Sequence, residues 1–193
     1  GGFVIQGRPL AWVSGEPSME IVHALHDAVA VGHYRTLEQD PAFGIRQIVD
    51  VALKALSPGI NDTTTAVTCV DHLTAVLVRL AGRGSAPCNH YSEGALCAVT
   101  KEFNFESALD MAFHEIRQHA RDDMAVILRQ LDSLERLGEG MPQPERRRLL
   151  WHHAWLIGEA AGRAVSSPHD RAVIDARLRR LAAALRRPAA VGL

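Results

Sequence analysis

The polar chemistry best placed to hold a ligand is concentrated in residues 56–66, LSPGINDTTTA. An amide, a carboxylate and three hydroxyls follow one another there, at Asn61, Asp62, Thr63, Thr64 and Thr65. At the start of a helix such side chains accept hydrogen bonds from N–H groups that have no partner inside the helix. The same helix terminus, lined with threonine hydroxyls, attracts anions. A capping Asp62 would oppose an anion and suits a cation or a hydroxyl-bearing ligand better. Capping requires one or two polar side chains and this corner offers five, so it ranks first among candidate ligand or interface positions.

A second polar cluster lies at residues 35–47, RTLEQDPAFGIRQ, with Arg35, Glu38, Asp40 and Arg46 as candidates for a ligand or an interface. It reads otherwise as a solvated loop with an internal ion pair. The two clusters stand at opposite ends of one expected helix, whose residues 45–57 span roughly 18 Å. They would meet across an interface between antiparallel helices of two copies.

The ten histidines raise the question of metal. His23 and His26, three apart, come nearest to a helical ligand pair, but zinc sites show tighter ligand sets. No metal and no cofactor is expected. There is no G-x-S-x-G elbow, no phosphate-cradling G-x-x-x-x-G-K-[ST] run and no G-x-G-x-x-G fingerprint. With no recognisable catalytic motif, the reading leans away from an enzyme.

The elements that must position these residues are helical. After Ser18, a cap residue, apolar positions Ile21, Val22, Leu25 and Val29 carry helical spacing. Ile45, Ile48, Val49, Ala52, Leu53 and Leu56 form one stripe, ended by Pro58-Gly59. Ala66, Val70, Leu73, Leu77 and Leu80 form the next, and Asn104 caps a helix carrying Leu109, Ala112, Phe113 and Ile116. A break at residues 121–123 either separates this from a helix over Met124 to Leu134 or bends one long helix. Two more helices follow, one behind Pro144 and one begun by Ser167-Pro168. Residues 82–104 are the least helical, with a short strand expected over 95–99. Residues 3–13, FVIQGRPLAWV, read as a β-hairpin turning at Gly7-Arg8-Pro9.

The expected fold is mainly α, a helical bundle of six or seven helices with a small N-terminal β-hairpin. Its parts are residues 1–15 as the hairpin, 16–187 as the helical domain and 188–193 as a loose tail. The opening inside an apolar stretch suits a domain cut from a longer protein.

Composition narrows the function classes. The 193 residues are 47% hydrophobic, enough for a sizeable core, and carry 21 Lys+Arg against 22 Asp+Glu. A net charge of −1 and 5% aromatics exclude a dedicated nucleic-acid binder. Three cysteines, Cys69, Cys88 and Cys97, favour a reducing compartment, although a disulfide could close the short loop between the last two. No window of about 18 or more apolar residues is read in the chain, so no part of it is expected to span a bilayer. Arg177, Arg179, Arg180, Arg186 and Arg187 make the last helix basic, either a solvated face that complements the helix dipole or a contact for anionic lipid headgroups.

Residues 35–73, RTLEQDPAFGIRQIVDVALKALSPGINDTTTAVTCVDHL, closely resemble the signature stretch of a bacterial family of predicted membrane proteins of unknown function, DUF2254. FVIQGRPLAWV before it and the helical region after it fit the carboxy-terminal part of that family. Where the family's threonine-rich turn usually has a proline, this chain has Thr63, a departure that agrees with a cap at Asp62. The resemblance implies transmembrane helices ahead of this segment, hence a bacterial inner-membrane protein with this domain on the cytoplasmic side. The chain then reads as a soluble domain, a homo-oligomer, that works through oligomerisation, sensing or gating. The alternative is a helical domain that binds a small ligand or a metal, with hydrolysis as one option.

Overall fold

Polar residues read as helix starts do start helices. In the computed structural model, Ser18 Oγ accepts from Ile21 N, Asp62 Oδ1 from Thr65 N, Asn104 Oδ1 from Ser107 N and Ser167 Oγ from Asp170 N. At Asn104 the cap is reciprocal, because Ser107 Oγ accepts from Asn104 N at 3.1 Å. The structure describes residues 3–13, 15–29, 31–37, 40–84, 88–92, 94–100 and 103–185. Among them are seven helices: α1 Met19–Ala28, α2 Pro41–Ala55, α3 Thr63–Ala81, α4 Phe105–His119, α5 Met124–Gly138, α6 Pro144–Ala164 and α7 Pro168–Ala184. The break at residues 121–123 separates two helices, because Asp123 Oδ1 caps α5 by accepting from Ala125 N and Val126 N. The expected tail at 188–193 lies outside the described residues.

The chain divides into two compact units, residues 1–44 and 45–193. In the first, α1 buries none of its residues. The expected N-terminal hairpin is not formed. Residues 3–13 hold a turn closed by Arg8 N donating to Ile5 O at 3.0 Å, with Gly7 at φ +82°, and no strand on either side. Phe3, Ile5, Leu10 and Trp12 stand exposed there. A two-stranded hairpin with no packed face is marginal, so two apolar runs flanking a turn do not by themselves produce one.

The sheet sits in the second unit instead. β1 Asn89–Ser92 pairs antiparallel with β2 Ala95–Val99, with a register shift between His90 and Tyr91 and Gly94 at φ +82° in the turn. All of β2 is exposed, so this ribbon stands outside the core.

The core is made by the helices of the second unit. α5 packs against α3, α6 and α7, and α4 packs against α3 and α6. Phe113, Leu73, Leu77, Leu109, Ile127, Leu131, Leu134, Ile157 and Ile174 are among its fully buried side chains. The order of the cross-contacts gives helix direction. Thr63 meets Asp123 and, further along both helices, Asp71 meets Arg129, so α3 and α5 run parallel. Asp132 meets Arg177 and Glu135 meets Arg180, so α7 is parallel to α5 as well. Arg146 lies over the Phe105 ring and His153 beside the Phe113 ring, so α4 and α6 share a direction. α6 and α7 approach closely where a methyl group on Gly158 would sit 2.7 Å from Leu178 Cδ1.

Candidate functional site

The proline-glycine corner turns by backbone geometry. Ile60 N and Asn61 N both donate to Ser57 O, and Asp62 N reaches back to Ala55 O at 2.8 Å. Asn61 has φ +47°, a left-handed conformation that asparagine tolerates better than most residues. This places Asp62 at the start of α3 with both carboxylate oxygens engaged by one residue. Oδ1 accepts from Thr65 N at 3.0 Å and Oδ2 from Thr65 Oγ1 at 2.5 Å. The Thr65 hydroxyl and amide hold the Asp62 carboxyl below its ordinary range.

Thr63 does something else. Its hydroxyl donates to Asp123 Oδ2 at 2.6 Å, sixty residues away in sequence. Asp123 therefore serves two helices, capping α5 with one oxygen and holding the first residue of α3 with the other. Thr64 is exposed, and its carbonyl accepts from Thr68 Oγ1 at 2.9 Å. Two of the three threonines thus have structural work to do.

The residues of the second cluster are distributed differently. In the first unit, Arg35 Nε donates to the buried Asp40 carboxylate at 3.0 Å, and the guanidinium lies 5.1 Å from the centre of the Phe43 ring. Glu38 lies outside the described residues. In the second unit, Arg46 makes a two-pronged pair with Glu115 on α4, its second contact being 3.2 Å, and reaches Asp50 on its own helix at 2.8 Å. The Arg46 guanidinium draws the Glu115 carboxyl down and is itself held more firmly protonated. Arg46 thus finds both acidic partners within its own chain. His23 and His26 are exposed on α1, and among the described residues no group of three or more His, Cys, Asp or Glu could hold a metal ion. The three thiols are free: Cys69 in the core, Cys88 half-buried and Cys97 exposed.

Three residues have roles that the sequence did not reveal. Asp123 is announced only by an acidic residue ahead of an apolar helical run. Glu115 carries no local signal, because its partner is 69 residues distant. His153 falls on the apolar line of α6 and is buried at 5% exposure, with Nδ1 lacking a hydrogen-bond partner. Burial pushes it down to about 4; Asp110 opposes this, while His152, Arg117 and His114 add to it. Of the basic residues of α7, Arg177 and Arg180 are committed to Asp132 and Glu135 of α5.

Fold and charge ties together define a helical bundle whose polar side chains fasten helix to helix. The chain belongs to the family described as predicted membrane protein (DUF2254), which matches residues 1–136. It is 31% identical over 195 residues to uncharacterized proteins of Mycobacterium bovis and of two Mycobacterium tuberculosis strains. That similarity covers 97% of this chain and 37% of each relative, so the chain spans well under half the length of the curated relatives it matches. No solved structure matches it. Among the described residues one helix, α3, is long and apolar enough to cross a membrane by length and composition, with mean hydropathy 1.2 and a third of that window buried inside the protein. This differs from the expectation that no apolar window of that length occurs. Here it is a core helix, with Asp71 paired to Arg129 of α5 at 3.2 Å.

Two predictions follow from this geometry. Thr63→Val, which keeps the branched shape and removes the donor to Asp123, is expected to cost about 1 kcal/mol in urea unfolding. Thr64→Val is expected to stay within about 0.5 kcal/mol; equal losses would contradict the separate roles. His153 is neutral in the fold but titrates at its ordinary 6.5 when unfolded. Its contribution is therefore complete above that value and is lost as pH falls from 6.5 to about 4. The drop in melting temperature across this window should shrink in His153→Leu, and an unchanged drop would contradict the assignment.

Proposed function

We propose that this chain is an extramembrane helical domain of a bacterial integral membrane protein. In this reading its transmembrane segments lie elsewhere in the protein and the domain faces the cytoplasm. It acts by self-association, through which the protein senses or gates. Family membership and the longer relatives support the membrane setting.

The observation that carries the association is the exposure of large apolar side chains in the first unit. Phe3 is 94% exposed, Trp12 90% and Tyr34 90%, with Ile5, Leu10 and Ile21 also open. Monomeric soluble proteins rarely leave large apolar patches in water, and interfaces are enriched in aromatic anchors. In contrast, Arg46 and Thr63 are occupied within the chain, so the apolar residues rather than the polar corner are the contact surface in this reading.

The test is sedimentation equilibrium of the 193-residue chain over a wide concentration range. A mass that is a multiple of 21.1 kDa is expected. The double variant Trp12→Ser, Ile21→Asp should return it to one chain with an unchanged circular dichroism spectrum. A single-chain mass for the unaltered protein at every concentration would contradict the proposal.

A further inference from the structure

An open groove of about 730 Å³ lies in the second unit at the ends of α4 and α6. It is lined by Arg117, Gln118, Arg121, Asp122, Arg163 and the small side chains of Ala160 and Ala164. Three guanidiniums from two helices and the α4–α5 turn thus face one space, against a single lining carboxylate. Like charges are not brought together without a reason, since each raises the cost of the next.

The ordinary explanation, arginines that cap helix C-termini, does not account for them. At the end of α6 that role belongs to Arg171, which lines no part of the groove. Its Nε donates to Val165 O at 2.6 Å and its terminal nitrogen to Gly162 O at 3.3 Å. Near the end of α4, His119 Nδ1 lies 2.9 Å from Glu115 O.

Nor are the three groove arginines used up by acidic partners. Among the described residues the Arg121 side chain meets neither a hydrogen-bond partner nor an ion-pair partner. Arg163 pairs with Glu159 one turn earlier on its own helix, an exposed contact of the kind that contributes little and exchanges readily. Arg117 is half-buried; one terminal nitrogen lies 3.3 Å from His114 Nδ1, but its Nε is buried and has no hydrogen-bond partner. A buried donor left unmet is costly, and the guanidinium group that carries it belongs to a residue lining the groove.

We propose that this groove binds a phosphate-bearing anion, held by Arg117, Arg121 and Arg163. Two positive charges remain after Asp122 is counted, which a phosphate near its second ionisation balances. Guanidinium forks match phosphate oxygens in pairs, and several donors on one group give the geometric selectivity that a lone lysine lacks. The alanines keep the walls low enough for a group larger than the phosphate itself. The ligand is a soluble phosphate compound or a lipid headgroup, which present the same chemistry. The proposal stands independently of self-association.

The test uses the 193-residue chain, inorganic pyrophosphate and vesicles of phosphatidylcholine with or without phosphatidylglycerol. Pyrophosphate binding is followed by calorimetry at constant ionic strength and vesicle binding by flotation. Arg121 and Arg163 are exposed, so Arg121→Gln, Arg163→Gln leaves the fold intact, which circular dichroism verifies. The control is Arg148→Gln, exposed and fifteen residues earlier on α6 than Arg163, about 22 Å away. The proposal expects the unaltered chain to bind at least one probe, with about a tenfold loss for each guanidinium removed and none in the control. Binding to phosphatidylglycerol vesicles that pyrophosphate displaces identifies a headgroup; pyrophosphate binding without vesicle binding identifies a soluble compound. No binding of either probe, or equal binding by the double variant, overturns the proposal.

Discussion

The bundle depends on the burial of α5. At 100° per residue, Val126, Ile127, Gln130, Leu131, Ser133, Leu134 and Leu137 cover an arc of about 160°. Such a helix cannot lie on a surface; it needs neighbours on two sides and beneath, and α3, α7 and α6 supply them. The charged residues of α5 lie outside the arc. Arg129 flanks it on one side and pairs with Asp71 of α3, whereas Glu135 flanks it on the other and pairs with Arg180 of α7. Hydrophobic burial supplies the drive, and the flanking ion pairs choose which neighbour lies on which side. Exposed pairs of this kind add little stability, so their role is one of register.

The corner at residues 56–66 belongs to the same scheme. Its proline and glycine end one helix and its aspartate starts the next, as expected of capping. The extra hydroxyls are accounted for by a second task, fastening the start of α3 to the start of α5 through Thr63 and Asp123. Arg146 does the same at the far end of α3, donating to Ala81 O at 2.6 Å. The threonine-rich turn is therefore a joint between helices. The buried amide of Gln130, with neither its nitrogen nor its oxygen paired, has no explanation in the structure.

What could be read in the sequence was local. The apolar stripes of α2 to α5 and α7 and the caps at Ser18, Asp62, Asn104 and Ser167 depend on neighbours within four residues, and they appear. On α6 the line through Leu149, His153, Leu156, Ala160 and Ala164 was misplaced, because the helix buries Leu150, Ala154, Ile157 and Ala161 beside His153 and Ala160. The strand at residues 95–99 was legible from its composition. The N-terminal hairpin was misread, because two short apolar runs flanking Gly7-Arg8-Pro9 satisfy the pattern of a hairpin while lacking a surface to pack on. Long-range partners left no trace. Nothing near Arg46 points to Glu115, and nothing near Arg117 points to Arg163. His153 fell on an apolar line, and nothing in that pattern revealed that burial would leave its Nδ1 without a partner and push its pKa down.

The claim that α5 is the element on which the others assemble is tested most directly by native-state hydrogen exchange, residue by residue. Amides at residues 126–134 should be the slowest in the chain and should exchange only through global unfolding, with α3 next and the β1–β2 ribbon fast. Exchange of the α5 amides through a smaller opening, while α4 and α6 stay protected, would contradict it.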